Sequence, residues 1–219
     1  MMAATEDDLR QQLVEVMQAM QATGLNRGTS GNASARIGDG LLVTPSGIAP
    51  DKLTPESMVR LNAAGETAAG ALRPSSEWRM HAGILARRPD VNAVVHCHAR
   101  HATILACAGM PIPPLHYMVG VSGRASVPVA PYATFGTTEL GESVVETLEG
   151  GYACLMANHG LIAVAPTLRH ALLVAEEMEE QAAVYCGTLA IGGPKLLSES
   201  QMAEIFGQFA GYGQAKRRG

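Results

Sequence analysis

The stretch "VVHCHAR", residues 94–100, places a histidine on each side of Cys97 directly after an apolar run. The run predicts a buried strand over "VNAVVHC". Alternate side chains of a strand point to opposite faces, so His96 and His98 share one face and Cys97 lies on the other. Two imidazoles on one face, roughly 6–7 Å apart along the strand, can converge on one metal ion. The stretch therefore predicts half of a metal site.

A third histidine completes a known ligand pattern. His159 lies in "LMANHGLIAVA", at the turn between two predicted strands, where a side chain can project from the rim of a sheet. Three imidazoles with one open position are typical of a catalytic zinc ion. A histidine that is merely exposed at a turn is the competing interpretation, and the spacing alone leaves both open. The other histidines are interpreted as partly buried structural side chains: His81, His101, His116 and His170.

The bulk composition is that of a folded globular protein. The 219 residues, 47% hydrophobic and 16% charged, are enough for one large domain with a substantial core. The net charge of -4 gives no support for a nucleic-acid surface. No run approaches the roughly 18 apolar residues of a membrane span, and the N-terminus lacks the order of a secretory signal. We expect a cytoplasmic protein that binds neither nucleic acid nor membranes.

The cysteines carry no metal or redox pattern. All four stand singly in apolar contexts, without CxxC spacing. This usage predicts buried free thiols in a reducing compartment. The four are Cys97, Cys107, Cys154 and Cys186.

Helical periodicity and capping signals recur along the whole chain. Thr167 is a predicted helix cap, and Ser198 with Gln201 forms a capping box for a last helix. The predicted helices cover residues 6–22, from Ser75 or Ser76 to about Arg88, 99–108, 138–148, from Thr167 to about Leu189, and a last helix after Ser198.

Short apolar strands alternate with these helices. They are "ARI", "LLVT", "VNAVVHC", "YACLMA" and "LIAVA", while prolines between 111 and 131 indicate short strands and loops. No linker or repeat interrupts the alternation, which predicts a single α/β domain over residues 1–219. We expect residues 1–5 and 214–219 to be disordered. The connections vary too much in length to decide between a parallel and an antiparallel sheet.

Three segments have the composition of an anion site. "GTSGNAS" (28–34) offers backbone N–H groups, "TPSG" (44–47) forms a turn, and "SSE" (75–77) opens a helix whose first N–H groups attract an anion. Each alone is also ordinary turn or cap chemistry, and none matches the phosphate-loop or dinucleotide pattern. Glu77, near the helix start, is favoured there by the helix dipole for stability alone. If the helix start faces the metal, Glu77 is the nearest general base.

Taken together, these segments resemble the class II aldolase/adducin family. The matching pieces are "GLNRGTSGNAS", "TPSG", "PSSEW", "NAVVHCHA", "LHYM", "APYATFGT" and "NHGLIA". They occur in family order from about Leu9 to Tyr212, nearly the whole chain. The resemblance implies a three-layer α/β/α domain around a central, mainly antiparallel sheet. It also implies a homotetramer with active sites at the subunit interfaces.

The resemblance implies a role for each matching site residue. One Zn²⁺ per subunit is expected at His96, His98 and His159, with Glu77 completing the resting coordination and acting as the catalytic base. Tyr117 is expected to reach a neighbouring subunit's active site as a proton donor, and Tyr212 to close over the substrate. The expected phosphate ligands are Gly31, Asn32, Ser46, Gly47, Ser75 and Ser76. Ser46 stands where threonine is usual in the family, and its hydroxyl is kept.

The activity implied by the resemblance is aldol cleavage. The expected substrate is a ketose 1-phosphate such as L-fuculose 1-phosphate, and the products are dihydroxyacetone phosphate and a short aldehyde such as lactaldehyde. Two alternatives stay open. The first is a different sugar-phosphate lyase reaction on the same scaffold, such as decarboxylation of a 3-oxo-tetronate 4-phosphate. The second is a non-catalytic interaction module like that of adducin. The presence of all three histidines and Glu77 argues against the interaction module.

Overall fold

The computed structural model describes residues 4–211, with side chains described through residue 209. The helices are α1 (Glu6–Ala22), α2 (Trp78–Arg87), α3 (Arg100–Ala108), α4 (Thr138–Leu148), α5 (Leu168–Ala190) and α6 (Glu199–Gly211). The strands are β1 (Asn32–Ile37), β2 (Gly40–Val43), β3 (Val59–Leu61), β4 (Ala93–Cys97), β5 (Val129–Ala130), β6 (Ala153–Met156) and β7 (Gly160–Ala165).

The seven strands form one mixed sheet in the order β3-β2-β1-β4-β7-β6-β5. Every neighbouring pair is antiparallel except β5 and β6. In the centre, β4 pairs with β1 on one side, where Asn32 faces His96, and with β7 on the other, where Ile162 faces His96. This order places the start of β1, the end of β4 and the turn between β6 and β7 at one edge of the sheet.

Helices cover both faces of the sheet and give two hydrophobic cores. One core packs α1, α3 and α5 against a face that includes Val95 and Cys97 of β4. The other packs α2 and α4 against the opposite face, which includes Val94 of β4. The predicted α/β/α layers and mainly antiparallel sheet are therefore confirmed. The alternation along β4 also confirms that Cys97 points away from the face that carries His96.

Most predicted helix boundaries are confirmed by their caps. α1 covers the predicted residues, the Thr167 hydroxyl accepts the His170 N–H, and Ser198 and Gln201 form the predicted capping box. The predicted cap of α2 at Ser75 or Ser76 is wrong. The Ser75 carbonyl closes a turn with the Trp78 N–H, so the helix begins two residues later than Ser76, with Glu77 at the cap position.

Other expectations are met only in part. All four cysteines are free, and Cys97 and Cys154 are buried as predicted. Cys107 is exposed on α3, and Cys186 on α5 is half-buried and packs against the first core. Disorder was expected over residues 1–5 and 214–219: Thr5 instead forms a capping box with Asp8, and residues 1–3 and 214–219 lie outside the described residues. The single-domain assignment over 1–219 stays a prediction.

Among the helices of the described chain, none combines the length and the apolar character that a membrane crossing requires.

Candidate active site

Three elements meet at the sheet edge and bring the predicted histidines together. His96 is the fourth residue of β4, His98 follows the end of that strand, and His159 occupies the turn from β6 to β7. One ring nitrogen from each histidine lies within 4.8 Å of the others. The ring centroids are 4.8–5.1 Å apart and the planes are close to perpendicular. The three imidazoles therefore converge on one point.

Backbone contacts orient the buried histidine of the three. His96 is fully buried, and its Nδ1 donates a hydrogen bond to the Leu161 carbonyl at 3.0 Å. In a neutral ring this contact fixes the proton on Nδ1 and leaves the lone pair on Nε2. Nε2 lies 3.0 Å from the Nε2 of His98. The acceptor nitrogen of His96 therefore points toward the other two rings.

Glu77 faces the three histidines from the start of α2. Its Oε2 lies 3.2 Å from the His96 Nε2, and its Oε1 lies 3.3 Å from the His159 Nε2. The Asn32 amide donates a hydrogen bond to Oε2 at 2.9 Å. Only 6% of Glu77 is exposed. The expected fourth member of the site is thus in contact with the histidines.

Electrostatics keeps this carboxyl ionised and two of the rings neutral. Burial raises the pKa of Glu77, but the His96 ring and hydrogen bonds from His96 and Asn32 outweigh it and hold the pKa well below its usual range. Desolvation, with the neighbouring rings, lowers the pKa of His98 and of His159 to about 4. Burial lowers the pKa of His96, but the charge of Glu77, the hydrogen bond with its carboxylate and the contact with the Leu161 carbonyl together outweigh burial and raise the pKa.

This donor set fits a divalent cation. Neutral imidazole nitrogens and a carboxylate are ordinary zinc ligands, and the backbone contact at Nδ1 of His96 is the outer contact that metal-bound histidines usually make. Oε1 of Glu77 is buried without a hydrogen-bond partner. A buried anionic oxygen without a donor is unfavourable, and a cation between the carboxylate and the rings would satisfy it.

A cavity of about 400 Å³ opens beside the histidines. It is lined by every residue expected to bind phosphate: Gly31, Asn32, Ser46, Gly47, Ser75 and Ser76. Residues 44–47 and 73–75 are tied together, since the Ser46 N–H donates to the Arg73 carbonyl and the Ser75 N–H donates to the Thr44 carbonyl. Ser46 and Ser75 both line the cavity, and the Ser75 hydroxyl accepts the Glu77 N–H at 3.3 Å. The three segments of the predicted anion site lie around one space.

Of the two expected catalytic tyrosines, only Tyr117 lies in the described part of the chain. Tyr117 is half-exposed at the start of a short 3-10 helix, with its ring 4.6 Å from that of His116, and it does not line the cavity of its own chain. Tyr212 lies outside the described residues.

His81 departs from the expected partial burial. It is fully buried, with Nδ1 2.7 Å from the Ser34 hydroxyl, and Nε2 has no hydrogen-bond partner. Burial lowers the pKa of His81 to about 3, so the ring is neutral. It lies one helical turn after Glu77, outside the group of three convergent histidines.

The cavity also contains residues that the sequence patterns did not single out. Tyr132 and Phe135 are both 65% exposed and line its rim, and Asn158 lines it beside His159. Asn158 adopts a positive φ of 56°, which asparagine tolerates better than most residues and which turns the chain toward His159. "NHG" between two apolar strands was the available signal for Asn158. The two aromatic residues lie in "APYATFGT", a matching piece of the resemblance to which no role was assigned.

Comparison with known proteins identifies relatives over almost the full length. The model of a family described as "Class II Aldolase and Adducin N-terminal domain" matches residues 11–186. The chain is 46% identical to a 5-methylthioribulose-1-phosphate/5-deoxyribulose-1-phosphate aldolase of Rhodospirillum rubrum, over 94% of this chain and 92% of that protein. It is 45% identical to the L-fuculose phosphate aldolase of Escherichia coli strain K12, over 94% of this chain and 95% of that protein.

A solved structure has the same architecture. An L-fuculose 1-phosphate aldolase superposes with a TM-score of 0.90 at 36% identity, covering 95% of this chain and 98% of the other.

Proposed function

The chain belongs to the class II aldolase and adducin family, and from that premise we propose that it cleaves a ketose 1-phosphate reversibly into dihydroxyacetone phosphate and a short aldehyde. The chain is an enzyme, a metal-dependent aldehyde-lyase of the class II aldolase type. The observation that carries the proposal is the cavity that joins two sites. Glu77, His98 and His159 line it together with the glycine, serine and asparagine turns, and His98 and His159 converge there with the buried His96.

We propose His96, His98 and His159 as the metal ligands, with Glu77 as the fourth in the resting site and Zn²⁺ as the ion, one per subunit. A divalent cation bound there supplies a Lewis acid for the negative charge that develops on a carbonyl oxygen when the neighbouring carbon–carbon bond breaks. Imidazole ligands support this role because they add no negative charge of their own.

Glu77 is proposed to carry the proton at the carbon next to the carbonyl. Its carboxyl has a low pKa and only 6% exposure, so it is ionised and shielded from bulk water. In the synthesis direction Oε1 or Oε2 removes the proton from dihydroxyacetone phosphate, and in cleavage it returns that proton. The hydrogen bond from Asn32 orients the carboxylate for this transfer.

The phosphate group of the substrate is proposed to bind at Gly31, Asn32, Ser46, Gly47, Ser75 and Ser76. Gly31 and Gly47 have φ angles of 74°, so these turns present backbone rather than side-chain bulk to the cavity. Hydroxyls and N–H groups at the start of α2 add donors where the helix dipole favours an anion. Binding the phosphate here would orient the reacting carbons without taking part in the chemistry.

Tyr117 is proposed to donate a proton in a neighbouring subunit of a homotetramer, and Tyr212 to close over the substrate. The position of Tyr117 outside its own cavity supports a role in another subunit. Mixed oligomers test this directly. The Glu77→Gln and Tyr117→Phe subunits are each expected to be inactive alone. In a co-refolded mixture, some sites would combine an intact Glu77 from one subunit with an intact Tyr117 from its neighbour, so activity should be recovered. Mixtures as inactive as their components would refute the shared site.

The relatives differ in the aldehyde that their substrates release. The named relatives act on L-fuculose phosphate or on methylthioribulose and deoxyribulose phosphates, all at similar identity. We propose a ketose 1-phosphate of this group. The aromatic rim of Tyr132 and Phe135 supports an aldehyde that ends in an apolar group, such as the methyl of lactaldehyde.

A product assay tests the proposal. L-fuculose 1-phosphate, 5-methylthioribulose 1-phosphate and 5-deoxyribulose 1-phosphate are offered to the zinc-loaded protein, and dihydroxyacetone phosphate is detected by coupled reduction with NADH. The expected result is its release from at least one of them and loss of the activity with a chelator. A 3-oxo-tetronate 4-phosphate is included as the control. Release of carbon dioxide from it, with no dihydroxyacetone phosphate from the ketose phosphates, would establish the decarboxylase instead.

A further inference from the structure

Asn26 is a buried polar residue that the proposed chemistry leaves without a role. It lies between the end of α1 and the loop that leads into β1, and only 3% of it is exposed. Its own N–H donates to the Met20 carbonyl at 3.1 Å, which ties its backbone to α1. Its position is therefore fixed, and its side-chain amide contacts two residues that line the cavity, His98 and Gly31.

The first contact is with the backbone of His98. The His98 N–H donates to Oδ1 of Asn26 at 3.2 Å. The ladder between β1 and β4 ends at the pair of Asn32 and His96, and Gly31, with a φ of 74°, then turns the chain away from β4. The amide oxygen of Asn26 therefore takes the place of a strand carbonyl. It holds the residue that carries the most exposed of the three rings.

The second contact is with the loop that lines the anion side. A Cβ added at Gly31 would lie 2.1 Å from Nδ2 of Asn26 and 2.4 Å from Oδ1. The amide group therefore lies directly against the Gly31 backbone, with no room between them. Because the same amide contacts Gly31 and holds the His98 N–H, a displacement of the loop moves the group that positions His98.

We propose that Asn26 is a positioning residue that couples the loop at Gly31 and Asn32 to the orientation of His98. Anion binding on the loop and cation binding at the three histidines then strengthen each other, by the same factor in both directions. The coupling rests on the proposed function, since it requires that both sites bind their ligands. In this proposal Asn26 changes the affinity for the two ligands and does not contact the reacting atoms.

The test measures zinc affinity with and without inorganic phosphate, on the full chain stripped of metal. A chromophoric chelator competes for zinc, and a titration without protein corrects for zinc bound by phosphate. We expect phosphate to tighten zinc binding several-fold in the wild type, within the roughly 5- to 150-fold range of such couplings. Asn26→Ala should weaken zinc binding roughly 10- to 100-fold, as loss of an outer-shell partner does, and reduce the phosphate effect to near one.

Two further variants separate positioning from general damage. Asn26→Asp keeps an oxygen at the Oδ1 position, so zinc affinity should be retained, while its charge opposes phosphate. Gln181→Ala removes another buried amide, 2% exposed, whose hydrogen bond goes to Glu177 on α5. It should leave zinc affinity and the phosphate effect as in the wild type.

Zinc affinity and a phosphate effect unchanged in Asn26→Ala would overturn the coupling, and so would equal losses of zinc affinity in the Ala and Asp variants. If Asn26→Ala does not fold, Asn26→Asp decides. If Asn26→Asp keeps the zinc affinity of the wild type but loses the effect of phosphate, the coupling is supported. Any other combination of the two measurements overturns it. The proposed metal site fails separately, if the wild type binds no zinc or if His98→Ala binds it as tightly as the wild type.

Discussion

Gly160→Ala should damage the proposed metal site although Gly160 carries no ligand atom. Gly160 is the first residue of β7 and lies against the end of β4. A Cβ at this position would lie 2.5 Å from the Cys97 carbonyl oxygen and 3.1 Å from Cδ2 of His98. Restoring the roughly 3.3 Å of a close carbon–oxygen contact requires a displacement of about 0.8 Å. The atoms that must move are the Cys97 carbonyl oxygen and Cδ2 of His98, so the strain acts directly on the segment that positions the His98 ring.

The size of that displacement sets the expected loss. Zinc–ligand distances vary by only about 0.2 Å between well-formed sites, so a shift of about 0.8 Å between His98 and His159 exceeds what the site tolerates. We expect zinc affinity to fall roughly 10- to 100-fold, as when outer contacts of a metal site are lost. The added methyl in a packed region should also lower the free energy of unfolding by about 1–3 kcal/mol.

Chelator competition measures zinc affinity, and urea unfolding of the zinc-free protein measures stability. Gly187→Ala is the matched control. Gly187 lies inside α5, nothing lies within 4 Å of its added Cβ, and alanine there should stabilise the helix by about 0.5–1 kcal/mol. Zinc affinity should be unchanged in the control. Wild-type zinc affinity in Gly160→Ala would show that the close approach of β7 to β4 does not set the geometry of the histidines.

Three other substitutions test the remaining claims. Glu77→Gln should lower kcat about 10²- to 10⁴-fold while inorganic phosphate still binds, and near-normal turnover would exclude Glu77 as the base. His98→Ala should lose zinc and activity together, and full zinc occupancy measured by elemental analysis would remove His98 from the ligand set. Burial lowers the pKa of His81 in the folded protein to about 3, from 6.5 in the unfolded chain. As the pH falls, the unfolded chain therefore binds a proton before the folded protein does. The free energy of unfolding consequently decreases from about pH 6.5 down to about pH 3. His81→Gln should therefore make the stability of the zinc-free protein fall less between pH 7 and pH 5 in urea unfolding, and an unchanged pH dependence would contradict the lowered pKa.

The part of the site that a local pattern can encode was predictable. The period of two in a strand places His96 and His98 on one face, and the two cores confirm that Val95 and Cys97 point to the other. Helix caps at Thr167 and Ser198 were also local signals, since each bonds to a residue three positions later. The cap of α2 was not, because Ser75 and Ser76 gave the signal but residues 73–75 are hydrogen-bonded to residues 44–46, and the helix begins after both serines with Glu77 at the cap position.

His159 needed information that periodicity does not carry. It approaches His96 because β7 pairs with β4, and nothing in the strand sequences indicates which strands are neighbours. The resemblance to a family supplied that order, and with it the role of Glu77. The same limit applies to Cys107, whose apolar neighbours predicted burial although its own position on α3 is exposed.

Asn26 and Gly160 show what a sequence pattern cannot indicate at all. A lone asparagine after a helix and a lone glycine at a turn have ordinary local explanations, as a cap and as a flexible link. Their importance arises from contacts that the fold creates: the Asn26 side-chain amide lies against Gly31 and accepts the distant His98 N–H, and Gly160 lies against the Cys97 carbonyl. Both contacts act on the segment at His98, one from each side of β4. The position of that imidazole is therefore fixed by the packing of residues that neither bind metal nor touch substrate, and substitution at either one should be detected first in the affinity for the cation.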